Sequence, residues 1–485
     1  MSDISGAYDA IVVGAGPNGL AAAIELARNG LGVCVFEANE TVGGGARTGE
    51  LTLPGYLHDL GSAVHPLAAA SPFFCSLPLQ DHGLKWVQPT IPLAHPFDDG
   101  STAMLHYSLE DTCQTLGPDA EAYRKLIQPF VNRWPDLAAE ILGPLHLPRH
   151  PVLLVRFGLK ALQPASRLAH SLFKEKHARG FLAGLAAHSS LPLEKIPTSA
   201  IALMLAAPGH VVGWPFPQGG AQQISNALAS YFCSLGGTIR TSFCVQSLHQ
   251  LPPARAVICD LTPRQILQLA RRDFTPGYVQ ALKRYRYGPG VFKMDWALAE
   301  PIPWESPLSR GAGTLHLGGT FDEIAAGEAE VWQGRHPQKP FVLLAQQTLA
   351  DPTRAPQGKH TAWAYCHVPH GSSFDMSNRI EAQIERFAPG FRDCILHRKT
   401  TNTLQLENSN PNCVGGDING GVQDLWQLFT RPAVRLVPYA TSHTRIFICS
   451  SSTPPGGGVH GMCGYHAARA VLRRVFNHQG DRAKS

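Results

Sequence analysis

Residues 8–37 read YDAIVVGAGPNGLAAAIELARNGLGVCVFE. A β-branched strand enters a glycine turn, a helix rich in Ala and Leu follows, and a second short strand closes on an acid: one βαβ unit. Gly14 permits the tight turn, Gly16 lets the backbone approach a pyrophosphate, and Gly19 lets helix and strand pack closely. Pro17 and Asn18 open the helix, whose first N–H groups lack intrahelical partners and so face the phosphates. Glu37, followed by Ala38, lies 23 residues beyond Gly14, where a carboxylate accepts from both ribose hydroxyls and repels a 2′-phosphate.

A chain of 485 residues exceeds the roughly 250 to 300 at which a single core stops growing, so two or three units are expected. With 44% hydrophobic and 16% charged residues, disorder is excluded and extensive buried surface or an apolar cavity is favoured. The net charge of +5 is too slight to imply nucleic acid, and no nucleic-acid partner is expected. The eleven cysteines form no CxxC pair and no cluster at zinc spacing, which reads as buried thiols in a reducing compartment, with no metal site. The start, MSDISGAYDA, is polar and acidic, and no apolar run reaches the ~18 residues of a membrane span. A cytoplasmic protein is expected, with one route to peripheral membrane association. From Arg149 to Gly180 seven cations face one anion, a net of +6, interleaved with Leu153, Leu154, Phe157 and other apolar residues as in an amphipathic helix at an anionic interface.

From Phe73 to about Ala200 the βαβ rhythm gives way to helical patterning broken by Pro, as in Asp119 to Ala138 with apolar residues at Ala122, Leu126, Phe130 and Trp134. The nucleotide domain resumes with the turn Gln218–Ile224, the strand after Gly236-Gly237, Val245, and the buried run Ala256–Asp260. Val291–Trp304, Phe341–Leu344 and Ala362–Val368 read as strands of a second, antiparallel sheet.

Beyond Glu37 lies TVGGGAR, with Gly43, Gly44 and Arg47, and near the carboxy end stand NPNCVGGDINGGVQDLWQL and RIFICSSSTPPGGGVHGMCGYHAAR. In these motifs the chain resembles the two-dinucleotide-binding-domain flavoproteins, namely phytoene-desaturase-like and carotenoid-isomerase-like enzymes, and most closely the pyridine nucleotide-disulfide oxidoreductase domain-containing group. The resemblance implies FAD as cofactor, held by Gly14, Gly16, Pro17, Asn18, Gly19, Glu37, Ala38, Gly43, Gly44, Arg47, Val245, Gly458, Val459 and Gly461. It implies an α/β fold: a Rossmann-like FAD-binding domain in three parts (1–75, 209–290, 413–485), a helical and substrate region (76–208), and a substrate-domain sheet (291–412). The implied activity is desaturation or dehydrogenation of an apolar, polyene or isoprenoid-like small molecule by hydride transfer to flavin. The alternatives are a non-redox flavin-dependent isomerase, an FAD amine oxidase, and a non-catalytic FAD-binding regulatory protein.

The chain departs from these relatives at Cys449–Pro455, where they carry C-G-A-G-T-H-P and this chain carries three serines. A left-handed backbone there would be strained by Cβ. CxxxxC is absent, which excludes dithiol chemistry. The nearest match to a second fingerprint, Gly311–His316, follows SPLSR rather than a strand. Stable nicotinamide binding is therefore not expected, and oxygen or a quinone is the expected electron acceptor. For acid/base work the candidates are His65 and His460, ahead of His367, His370 and His466.

Overall fold

The structure is a computed structural model and describes residues 7–477. One layer is a parallel sheet. Its elements, in chain order, are strand β1 (Tyr8–Val13), helix α1 (Pro17–Arg28), strand β2 (Val33–Phe36), helix α2 (Gln222–Ser234), strands β3 (Thr238–Arg240), β4 (Ala254–Cys259) and β5 (Ile446–Ile448), and helix α3 (Met462–Val475). The strand order is β5-β4-β1-β2-β3, every pairing parallel.

The period of two sorts these strands between two cores. Ala10, Val12, Val33 and Val35 pack with α1 and α3, while Ile11, Val13, Cys34 and Phe36 pack with the helices Pro263–Ala270 and Pro276–Lys283. Both faces are buried, so β1 and β2 are nearly continuously apolar. Strand order reverses at β1: the chain proceeds to β2 on one side and returns to β4 on the other, opening a crevice at the carboxyl ends of β1 and β4.

A seven-stranded sheet forms the second layer, in the order Ile395–Thr401, Gly290–Leu298, His360–Val368, Val342–Ala345, Ala312–Leu317, Ile91–Pro96, Thr102–Leu105. Its pairings are antiparallel except Ala312–Leu317 with Ile91–Pro96. Phe292, Met294 and Trp296 turn to one face, against Ile380 and Ile384. Val291, Lys293, Trp363 and Tyr365 turn to the other, towards the parallel sheet's crevice.

One expectation is corrected here. The span 76–208 is not helical throughout, because Ile91–Pro96 and Thr102–Leu105 belong to the second sheet. The run Asp119–Ala138 is broken as its prolines suggest, into the helices Ala120–Val131 and Trp134–Ile141, with Pro135 at the start of the second. Gly311–His316 is no nucleotide turn: it enters the strand Ala312–Leu317, which is wholly buried.

Candidate active site

At the crevice the chain builds one continuous cleft of about 690 Å³ between the two sheets. Its dinucleotide end is made of backbone. Gly14, at φ +101°, turns the chain so tightly that a Cβ there would stand 3.1 Å from the Asp260 Cβ. A Cβ on Gly44 would stand 3.1 Å from the Gly16 Cα, so the two glycine loops meet backbone to backbone. Pro17 at the first turn of α1 removes an N–H that would otherwise need a partner.

Glu37 is buried at the end of β2. Its Oε2 accepts from the Ala15 N–H at 2.8 Å, and its Oε1 accepts from the Asn39 N–H at 2.9 Å and the Asn39 amide at 2.7 Å. These bonds fix the carboxylate and leave lone pairs for ribose hydroxyls. Arg47 donates from Nε to the Gly44 carbonyl at 3.0 Å and from Nη2 to the Ser409 carbonyl at 2.7 Å, clasping the second glycine loop. Burial pushes its guanidinium below the ordinary value and Glu37 opposes that. Asn18 Oδ1 is buried in the cleft wall with no hydrogen-bond partner within the chain. A ring of apposed glycine backbone, a fixed carboxylate and an unsatisfied amide oxygen fits an adenine dinucleotide, and with the second glycine loop it fits FAD.

Gly14, Gly16, Pro17, Asn18, Glu37, Ala38, Gly44, Arg47, Val245, Gly458 and Val459 all line the cleft. Gly19, Gly43 and Gly461 do not, which corrects their expected cofactor contact. A Cβ on Gly19 would stand 2.0 Å from the Gly14 carbonyl oxygen, one on Gly43 would stand 2.6 Å from that of Ala46, and one on Gly461 would stand 2.3 Å from the Phe74 ring. Their smallness serves chain packing. The serine turn brings a further correction: Ser450, Ser451 and Ser452 all avoid the left-handed region. Opposite them stands Gly420, at φ +68°, where a Cβ would lie 2.1 Å from Ser451 Oγ. Ser450 Oγ donates to the Leu261 carbonyl at 2.9 Å, and Ser452 Oγ donates to the Gly420 carbonyl at 2.9 Å. The departure is therefore accommodated without strain.

Of the histidines, His65 lines the cleft. Its Nε2 lies 3.0 Å from Ser62 Oγ, and its main-chain N–H donates to the Pro215 carbonyl at 3.1 Å. Burial lowers its pKa to about 4, so it is a neutral imidazole at physiological pH. His460 lies behind the cleft wall: its Nδ1 accepts from the Met462 N–H at 3.0 Å and its carbonyl accepts from Ser71 Oγ at 2.6 Å. It holds the turn into α3 and does not reach the cleft, so its expected acid/base role is corrected to a structural one. His466 bonds the Leu142 carbonyl at 3.1 Å, and His370 bonds that of Gly288 at 2.8 Å. His367 Nδ1 lies 2.9 Å from both Glu328 oxygens and its Nε2 lies 3.2 Å from Ser190 Oγ, which accepts from Asn419 Nδ2 at 3.1 Å. This buried series ends on Asn419 in the cleft wall and orients its amide.

Three side chains went unread as site residues. Asp260 ends β4 opposite Gly16, and its Oδ2 accepts from the Gly19 N–H at 3.0 Å. Burial, with Glu37 nearby, raises its pKa to about 7. His188, beside Trp214, shares a 3.0 Å contact with His316, and burial lowers its pKa to about 3. Lys293 is 3% exposed, lines the cleft 6.0 Å from the Trp363 ring centre, and pairs with Asp295 two residues along the strand. The signal for it was present: VFKMDWAL places one cation among apolar residues, on the same parity as Val291. Below this wall Asp59 accepts from Arg354 at 2.7 Å, Thr48 at 2.9 Å and the Ala221 N–H at 2.8 Å, tying the segment that carries His65 to the turn before α2. Burial pushes the Asp59 carboxyl up, but Arg354 and the Ala221 N–H outweigh it and hold it below its ordinary value.

Comparison with known proteins agrees with this geometry. The NAD(P)-binding Rossmann-like domain matches residues 12–73. Pyridine nucleotide-disulfide oxidoreductase domain-containing protein 2 of Mus musculus is 26% identical over 97% of this chain and 94% of its own length. Phytoene desaturase (lycopene-forming) of a Paracoccus species is 24% identical over 96% and 97%. Among solved structures, an oxidoreductase from Methanosarcina mazei has a TM-score of 0.65 at 17% identity, covering 96% of this chain and 99% of that one. Putrescine oxidase bound to putrescine has a TM-score of 0.61 at 19% identity, covering 97% and 100%. The chain thus carries a Rossmann-like dinucleotide-binding domain whose cleft fits FAD, and along nearly its whole length it is similar to FAD-dependent oxidoreductases.

Proposed function

We propose that the protein is an FAD-dependent oxidoreductase that dehydrogenates an apolar small molecule of polyene or isoprenoid type. The observation that carries this reading is the far end of the cleft. Beyond His65 the walls are Leu67, Ile201, Met204, Leu205, Trp214, Val291, Leu343, Trp363 and Tyr365, an apolar and aromatic chamber opening directly from the dinucleotide end. Such walls bind by excluding water, and polar groups placed singly among them set orientation. FAD, when bound, accepts a hydride; the chain's own groups bind, orient and manage charge. Lys293 has three donors and gives one to Asp295, so this cation enters the chamber wall already paired with a carboxylate. His65 and His188, both neutral, offer hydrogen bonds without adding charge. With no second glycine fingerprint leading from a strand into a helix among the described residues, oxygen or a quinone is the proposed acceptor of electrons from the reduced cofactor.

One alternative has an observation of its own. Lys293 in a dry wall beside Trp363 and Tyr365 also suits oxidation of an amine, and putrescine oxidase shares the fold. Anaerobic mixing separates the two readings. A linear polyene delivered in micelles should bleach the flavin absorbance, while putrescine and benzylamine should leave it unchanged. Bleaching by an amine alone would replace the first reading with the second.

A further inference from the structure

The basic segment folds as three short helices, Pro151–Ala161, Ala165–Leu172 and Lys176–Ala187. In the first, of Leu153, Leu154 and Phe157, expected from sequence to insert into lipid, Leu153 and Phe157 are 4% and 7% exposed and pack in the protein core, and Leu154 is half-buried. The outward face is a different one. Val152 is 81% exposed, Val155 61%, Leu159 68% and Leu162 47%. At 3.6 residues per turn these four fall within an arc of about 80°, with Arg156 and Lys160 along one flank. Just before the helix, Leu145 and Leu147 stand 78% and 92% exposed, so the stripe continues into the preceding loop.

The charges beside it are uncompensated. Lys176 pairs with Asp99, and His146 and His150 take Glu140, but the side chains of Arg149, Arg156, Lys160 and Arg167 form no ion pair among the described residues. A solvated helical face would be polar, and a face waiting for another apolar protein surface would not be rimmed with unpaired cations alone. The same helix packs against Thr198–Val212, which supplies Ile201, Met204 and Leu205 to the cleft, so the stripe and the apolar chamber are separated by a single helix. Among the described residues no helix is long and apolar enough to cross a membrane.

We propose that this face is a docking surface for an anionic lipid bilayer, with Val152, Val155, Leu159 and Leu162 entering the acyl boundary and Arg149, Arg156, Lys160 and Arg167 at the headgroups. The proposal does not depend on what reaction the cleft performs. The full-length protein is sedimented with vesicles of phosphatidylcholine alone and of equal parts phosphatidylcholine and phosphatidylglycerol. Binding should require the anionic lipid and fall as salt rises from ~0.1 to ~1 M, where the screening length shrinks from about 10 to 3 Å. Removing a cation should weaken partitioning about fivefold, so Arg156→Glu with Lys160→Glu should weaken it at least about 25-fold. Val155→Asp with Leu159→Asp should abolish it while leaving the thermal midpoint unchanged, since both side chains are already exposed; Leu159→Ser is the milder second variant should that midpoint fall. Equal binding to neutral and anionic vesicles, binding to neither, or native-like binding by the variants would overturn the proposal. So would a concentration-dependent dimer dissolved by Val155→Asp, which would assign the face to a second copy of the chain.

Discussion

Replacing Asp260 with Asn should make the protein more stable at alkaline pH and leave it unchanged in acid. Asp260 is buried where β4 meets the two glycine loops, its nearest polar partner is the Gly19 N–H at 3.0 Å, and the charged group acting on it is another anion, Glu37. Burial therefore raises its pKa from 3.8 to about 7. Between those values the unfolded chain has lost the proton and the folded one keeps it, so folding stability declines as pH rises through that window and levels off above about 7. At roughly 1.4 kcal/mol per decade of acidity the full cost is at most about 4 kcal/mol. Asn keeps an acceptor for the Gly19 N–H and cannot ionise. For a chain of this length about 1 kcal/mol moves the melting midpoint by about 1 °C, so the variant should melt about 4 °C higher than the native protein at pH 8 to 9 and equal it near pH 4. The same proton governs the cofactor site. An ionised Asp260 beside Gly16 would oppose the negative charge of a bound dinucleotide, so native affinity for FAD should fall up to tenfold per pH unit above 7 while that of the variant stays flat. Circular dichroism melting and fluorescence titration with FAD, each from pH 4 to 9, test both halves. Parallel pH profiles for the two proteins would refute the reasoning.

Glu37→Ala should lower FAD retention by about 1.5 to 3 kcal/mol for each ribose hydrogen bond lost, read by flavin fluorescence after gel filtration, with Glu37→Gln intermediate. Arg354→Met leaves the Asp59 carboxylate unpaired in the core and should cost about 3 to 5 kcal/mol in urea unfolding. Gly464→Ala would set a Cβ 1.8 Å from the Asn18 carbonyl oxygen where α3 crosses α1, and the resulting overpacking should cost at least about 1 to 3 kcal/mol in the same assay. NADH and NADPH should bleach the flavin slowly or not at all in rapid mixing, and fast saturable bleaching by either would reveal a nicotinamide site.

The nucleotide end of the cleft was readable in the chain because its chemistry is local. Gly14, Gly16, Pro17 and Glu37 lie within one βαβ unit, and turn geometry, missing Cβ atoms and a strand-end acid act over a few residues. Alternation in VFKMDWAL likewise announced a strand half facing a cavity. What the sequence left open were choices between equivalent local options. The first basic helix is apolar around most of its circumference, so its period allowed either arc to face inward; packing against Thr198–Val212 buried Leu153 and Phe157 and left Val152 and Val155 outside. Ile91–Pro96 became a strand because a partner more than two hundred residues away, Ala312–Leu317, pairs with it in parallel, which no local pattern records. Asp260 meets the Gly19 N–H across 241 residues. His65 and His460 each follow a turn of small residues, and only the tertiary fold placed one on the cleft wall and the other behind it. Local backbone geometry is written in adjacent residues, whereas which side chains share a cleft is set by long-range packing, and that belongs to the folded chain alone.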